Sequence, residues 1–266
     1  MARNQVTIKD VAREAGVSTA TVSYVINNRT DIKISDETRK KVLQVINLLD
    51  YSPNQAAKAL AANRKSLLAI YLSPSDSVLE HAESMYALKV LTNYFHQNKY
   101  EVILLNDRDF EKCDQADAII CYNTSSANFR KLGDNNFIPL LALDCMINDP
   151  LFFQVNTDPL RLKDAAQAHF NGASYTHVMM TSPNDEKKVF YLNSFEDTEF
   201  ISAWNELDNY IGRNLLVSNH TLYELLRENN DVCYVPSLTD EKLAGLSECI
   251  ESALTRTPIA QHNVLL

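Results

Sequence analysis

Apolar residues recur at helical spacing in two short bursts near the start of the chain, Ile8/Val11/Ala12/Ala15 and Val22/Val25/Ile26. Between them lies Ala15-Gly16-Val17-Ser18, where a glycine tolerates the left-handed backbone that turns one helix into the next. Thr7, three residues before Asp10, predicts the N-cap of the first helix, and Ser18 predicts that of the second. A polar loop over 28–34 leads to Ser35, a third cap. Asp36 and Glu37 follow in a first turn, where negative charge meets the positive end of the helix dipole. Val42, Ile46 and Leu49 line one face of this third helix, and Tyr51-Ser52-Pro53 ends it, because the residue before a proline avoids helical angles. Two helices about a tight turn, with a third behind them, predict an all-α helix-turn-helix headpiece over residues 1–50.

Asn54 to Ala62 favours helix but is about two turns long, and isolated helices shorter than about 12–15 residues are marginal in water. Residues 51–65 therefore read as a linker that folds on contact. From Ser66 the texture changes. Leu67–Leu72, Tyr100–Leu105, Ala116–Cys121, Pro139–Leu143 and Phe152–Asn156 read as strands, with a helical stretch from Val78 to Asn98. A helix over Pro159–Phe170 and a strand over Thr176–Thr181 follow. A further set of elements is expected around Phe195–Leu207, Leu215–Val217, Leu222–Glu228 and Val232–Val235. A helix over Lys242–Leu254 and a short strand at Val264–Leu266 close the chain. Strands alternating with helices predict a parallel α/β body over residues 66–266.

Charge divides along the same boundary. The net charge of −9 is not uniform: residues 1–65 carry eleven Lys and Arg against six Asp and Glu, and the remainder fourteen against twenty-eight. A basic head on an acidic body is the asymmetry expected when one end alone meets a polyanion. Cys113, Cys121, Cys145, Cys233 and Cys249 are odd in number and widely spaced, no C-x-x-C occurs, and the histidines lack metal spacing. Reduced core thiols, no metal and no cofactor are expected. The opening Met-Ala-Arg-Asn lacks the apolar stretch of a signal peptide, and no apolar run approaches the roughly 18 residues of a membrane span. A cytoplasmic, membrane-free location is the expectation. No G-x-S-x-G, P-loop or G-x-G-x-x-G occurs, so no catalytic residues are assigned and an enzyme is not expected.

The run Thr-Ile-x-Asp-Val-Ala-x-x-Ala-Gly-Val-Ser-x-x-Thr-Val-Ser-x-Val-x-Asn over Thr7–Asn27 resembles the LacI/GalR family of bacterial transcription regulators. The resemblance implies a homodimer on double-stranded operator DNA, with half-sites of a pseudo-palindrome about one helical turn apart. It places Thr19, Ala20 and Tyr24 at base-reading positions of the recognition helix. Thr7, Ser18, Thr21, Ser23 and Asn27 fall at phosphate-binding positions, which fix register without carrying sequence information. Asn54, Ala57 and Lys58 match hinge positions along the minor groove, and Leu60 matches the leucine that wedges into a central base step. Tyr24 stands where most members carry arginine, which removes a bidentate guanine contact.

The body resembles that family's effector core, a reduced periplasmic-binding-protein fold of two α/β lobes. Lobe 1 would span about 66–158 plus the C-terminal segment, and lobe 2 about 159–236. Departures are many. Only five glycines occur, the core is several tens of residues shorter than usual, and Cys145 stands in place of an arginine. Asp76, Asp144 and Asp158 remain candidates for a sugar-like effector, weighed against capping or turn roles. Trp204 is expected in the core. Two regulators fit: a repressor answering to a small molecule, or a ligand-independent or protein-partner-regulated scaffold with a degenerate core.

Overall fold

The computed structural model describes residues 6–26, 32, 34–49, 67–105, 112–113, 115–257 and 261–266. The chain forms two compact units, Met1–Asn63 and Arg64–Leu266.

The first unit holds helices α1 (Ile8–Ala15), α2 (Thr19–Ile26) and α3 (Asp36–Leu48). Thr7 starts α1 with a capping box: its backbone N–H and its hydroxyl both donate to Asp10 Oδ2, at 3.0 and 2.7 Å. Gly16 ends it at φ +68°. There the Gly16 N–H reaches the Arg13 carbonyl and the Val17 N–H the Ala12 carbonyl, a Schellman closure. Ser18 and Ser35 cap α2 and α3 by accepting from the Thr21 and Thr38 N–H groups, at 3.1 and 3.2 Å. Val11, Ala12, Ala15, Val22, Val25, Val42 and Val45 bury together where the three helices meet.

The left-handed turn gives a direct test. A Cβ at Gly16 would meet nothing closer than Lys41 Nζ at 3.7 Å, so any penalty comes from the backbone rather than from a clash. Left-handed angles cost an L-residue about 1–2 kcal/mol, and a branched one is worse placed still. Gly16→Val is expected to raise amide exchange across residues 8–26 while leaving that of the α/β unit unchanged.

The second unit is built on two parallel sheets. The larger has the strand order β10-β5-β4-β3-β1-β2, formed by β1 (Leu67–Leu72), β2 (Glu101–Leu104), β3 (Ala118–Tyr122), β4 (Leu140–Leu143), β5 (Phe153–Asn156) and β10 (Asn263–Leu265). The smaller has the order β7-β6-β8-β9, formed by β6 (Thr176–Met180), β7 (Thr198–Ile201), β8 (Asn214–Val217) and β9 (Asp231–Tyr234). Every pairing in both sheets is parallel. Among the described residues, six α-helices connect these strands: α4 (Val78–Gln97), α5 (Ser126–Asn135), α6 (Pro159–Phe170), α7 (Asp185–Ser194), α8 (His220–Leu226) and α9 (Asp240–Thr255). The chain leaves the first lobe after β5 and returns to it with α9, which packs on β4 and β5.

Alternate residues of β1 and β3 feed opposite cores. Leu68, Ile70 and Ile120 pack with Leu91 and Phe95 of α4 and Leu246 and Ile250 of α9. Ala69, Tyr71 and Ile119 pack with Phe129 and Leu132 of α5. Both faces are covered, which is why these strands read as unbroken apolar runs. In the second lobe Val178, Met180 and Val217 face Leu222 and Leu226 of α8, whereas Met179 and Leu216 face α6 and α7.

Trp204 corrects an expectation. It lies 61% exposed at the start of a 3-10 helix (Trp204–Tyr210), and Tyr210 at the other end of that helix takes the core position. The five cysteines are free, four of them buried. Burial pushes the Cys145 thiol up to about 12, which makes it a poor nucleophile at neutral pH.

Candidate nucleic-acid interface

Helix α2 is anchored on one side and open on the other. Val22 and Val25 bury, Thr19 and Ala20 are exposed at its N-terminal end, and Thr21, Ser23 and Tyr24 are half-buried along its flanks. Thr7 and Ser18 are exposed as well as capping, and the Ser18 hydroxyl shares a 2.9 Å hydrogen bond with that of Thr21. The exposed starts of α1 and α2 are each a source of backbone N–H groups and positive dipole that suits a phosphate. The exposed end and flank of α2 offer a partner little hydrogen-bonding chemistry: a hydroxyl and methyl from Thr19, a methyl from Ala20, and the phenol of Tyr24. Lys40 and Lys41 are exposed on α3. The Thr7 hydrogen bonds hold the Asp10 carboxyl below its usual range, which keeps it ionised in the capping box. Asn27, Asn54, Ala57, Lys58 and Leu60 lie outside the described residues.

The three aspartates singled out in the α/β unit do not converge on a cavity. Asp76 is exposed in the loop before α4. Asp144, at φ +53° beyond β4, is buried and paired with the Lys242 ammonium, which also donates to Thr157 Oγ1 at 2.8 Å. Asp158 caps α6 by accepting from the Leu160 N–H at 2.9 Å. The crevice between the lobes lies beyond the carboxyl ends of β3 and β6, where open α/β sheets hold ligands. Glu80, Glu83, Asn123, Thr181, Lys187 and Asn219 are among the residues that line it, and its cavity volume is about 20 Å³. That is room for about one water. Glu83 and Lys187, which line this crevice, and the buried Asn184 and Lys242 were not singled out by sequence reasoning. The one available signal was the Asn184-Asp185-Glu186 helix start. A wider depression of about 610 Å³ lies at the opposite, N-terminal ends of β6 and β7, lined by Lys163, Gln167, Tyr175 and Phe195 among others. Among the described residues, no group of three or more His, Cys, Asp or Glu is placed to hold a metal ion, and no helix is long and apolar enough to cross a membrane.

Residues 7–54 match the family model "Bacterial regulatory proteins, lacI family". The chain is 34% identical over 173 residues to catabolite control protein A of Staphylococcus epidermidis, across 61% of this chain and 50% of that protein. It is 28% identical over 195 residues to the transcriptional repressor PurR of Photobacterium profundum, across 69% of this chain and 57% of that protein. The match thus spans about half the length of these relatives. Among solved structures, the transcriptional regulator CelR in complex with cellobiose aligns with a TM-score of 0.50 at 14% identity, covering 98% of this chain and 97% of that one. That likeness places the α/β unit in the periplasmic-binding-protein fold.

Proposed function

Because the chain carries the helix-turn-helix domain of the lacI family of bacterial regulatory proteins, we propose that it is a sequence-specific transcription regulator, a repressor acting as a homodimer on a pseudo-palindromic operator. The observation that carries this reading is the orientation of α2: its apolar side is fixed by α1 and α3 while Thr19 and Ala20 stand exposed at its N-terminal end. Recognition helices of this motif meet base edges with that end. One eight-residue helix contacts few bases, which is the reason for two subunits. The regulator works in the cytoplasm and catalyses no reaction. Thr7, Ser18, Thr21 and Ser23 hold phosphates, and Asn27 joins them beyond the described helix. Selection from a random duplex pool tests the proposal. A two-fold symmetric consensus with half-sites about one helical turn apart is expected. A pool that enriches nothing, or binding whose affinity is the same for every duplex, overturns it.

Asn54, Ala57 and Lys58 would follow the minor groove and Leu60 would enter a base step. Unstacking a step costs a few kcal/mol and is offset by the contacts that a bent duplex permits. Leu60→Ala is therefore expected to weaken specific binding and remove the bend. A circular-permutation gel-shift assay with an unchanged bend angle would sink the wedge.

The state of the crevice supports the second reading of the core, in which no small molecule is needed. Asp144 and Asp158 are spent on internal bonds, and about 20 Å³ of space compares with the roughly 300–1,000 Å³ of ordinary ligand sites. A sugar-like effector bound through Asp76, Asp144 and Asp158 would need a different arrangement of the two lobes.

A further inference from the structure

We infer that the core shuts its interlobe crevice with its own side chains, Asn184 and Glu83 standing in for an effector. The inference deepens the regulatory reading above and rests on it for its consequence at DNA, though not for its geometry.

Asn184 is 0% exposed and opens α7 in the second lobe. Its Oδ1 accepts from the Lys187 N–H at 2.8 Å and from the Met146 N–H at 3.0 Å. Its Nδ2 donates to the Thr124 carbonyl at 2.9 Å and to the Met146 carbonyl at 3.0 Å. An amide side chain has two donors and two acceptor sites, so its capacity is filled. Three of the four bonds go to the main chain of the other lobe, just beyond the ends of β3 and β4.

Glu83 makes the reciprocal contact. It comes from α4 in the first lobe, is buried, and accepts from the His220 N–H at 3.1 Å and the Thr221 N–H at 2.8 Å, with Asn219 Nδ2 at 3.4 Å. These amides open α8, whose own N-cap residue, Asn219, makes no capping bond because its Oδ1 is taken by the Met180 N–H. An uncapped helix start leaves N–H groups without partners, and here the opposite lobe supplies a carboxylate on the favourable side of the dipole. Around these two pegs the Tyr86 ring stacks on His220 at 3.9 Å, and the Ser182 hydroxyl donates to Asn123 Oδ1 at 2.7 Å. Lys187 Nζ reaches the same oxygen at 3.3 Å. Leu79 of α4 buries within the second lobe's core. The polar groups that would greet a ligand are already paired with one another across the crevice.

Amide exchange on the full chain tests this without DNA. Asn184→Asp keeps an acceptor for Lys187 and Met146 but turns a carboxylate toward the Thr124 and Met146 carbonyls. Exchange at Met146, His220 and Thr221 is expected to rise about tenfold or more, with the sheet interiors unchanged. Should that variant not fold, Glu83→Gln is to be measured in its place. It sets an NH₂ group against the α8 amides and is expected to speed exchange at His220 and Thr221. In parallel, millimolar sugars, phosphosugars and nucleobases are expected to leave the melting temperature of the unsubstituted protein unchanged, since a ligand of the native state would raise it. A compound that raises it and slows exchange at Met146 overturns the inference, as does a folded variant with unaltered exchange. Loss of DNA binding by the unsubstituted protein would count against the regulatory reading alone.

Discussion

Lys242→Ala is expected to destabilise the α/β unit by about 3–5 kcal/mol, the usual cost of leaving one partner of a buried ion pair alone. The lysine side chain is 1% exposed and that of Asp144 4%. Thr157 accepts a second hydrogen from the ammonium, while Asp144 Oδ2 has no hydrogen-bond partner among the described residues. Burial pulls the Lys242 pKa down and the Asp144 charge pulls against it. With the ammonium gone, the carboxylate would lose its cation in a place water cannot reach, and the end of β4 would have to open to hydrate it. Replacing both members removes the charge problem. Asp144→Asn with Lys242→Met should fall far closer to the unsubstituted protein, because uncharged groups of similar volume often match a buried pair and asparagine tolerates the left-handed φ of +53°. Urea unfolding followed in the α/β unit checks both. A single-variant cost below about 1 kcal/mol, or a double variant as damaged as the single, would contradict this account.

The second large effect is acid sensitivity. His177 lies at 0% exposure in β6, with Phe195 at 4.2 Å and Tyr191 at 5.5 Å between ring centroids. Burial lowers its pKa to about 3, and Nε2 has no hydrogen-bond partner among the described residues. The folded chain therefore keeps this imidazole neutral between about pH 6.5 and pH 3, while the unfolded chain binds a proton there. Stability contributed by the neutral ring is present above pH 6.5 and is lost as pH falls, by about 1.4 kcal/mol per unit across that window. Lowering the pH from 7 to 4.5 should thus cost about 3 kcal/mol from this residue alone. His177→Leu should flatten the pH dependence relative to the unsubstituted chain, with the carboxylates common to both cancelling in the difference. Parallel stability curves for the two proteins would refute the assignment.

What could be read from the sequence was what depends on near neighbours. Thr7 with Asp10, Gly16, Ser18 and Ser35 act within a few residues of themselves, so the headpiece and its exposed Thr19 and Ala20 were legible before any coordinates. The buried strands were legible because both faces of each sheet are covered. Helix α7 was not, because Val189, Phe190, Tyr191 and Leu192 run consecutively and show no helical period. Two of them, Val189 and Leu192, are exposed. The crevice was illegible for another reason. Asp144 meets Lys242 across 98 residues and Glu83 meets Thr221 across 138, and nothing local to an aspartate says whether a distant lysine will reach it. Trp204 misled because its size argues for burial, whereas the 3-10 helix gives that place to Tyr210.

The borrowed start of α8 bears on how the core can be taken apart. A helix whose first amides are satisfied by Glu83, and a small sheet whose apolar filling includes Leu79, both depend on a segment far earlier in the chain. Excised by itself, the four-stranded half would lose a cap and gain a void, so it is not a portable module.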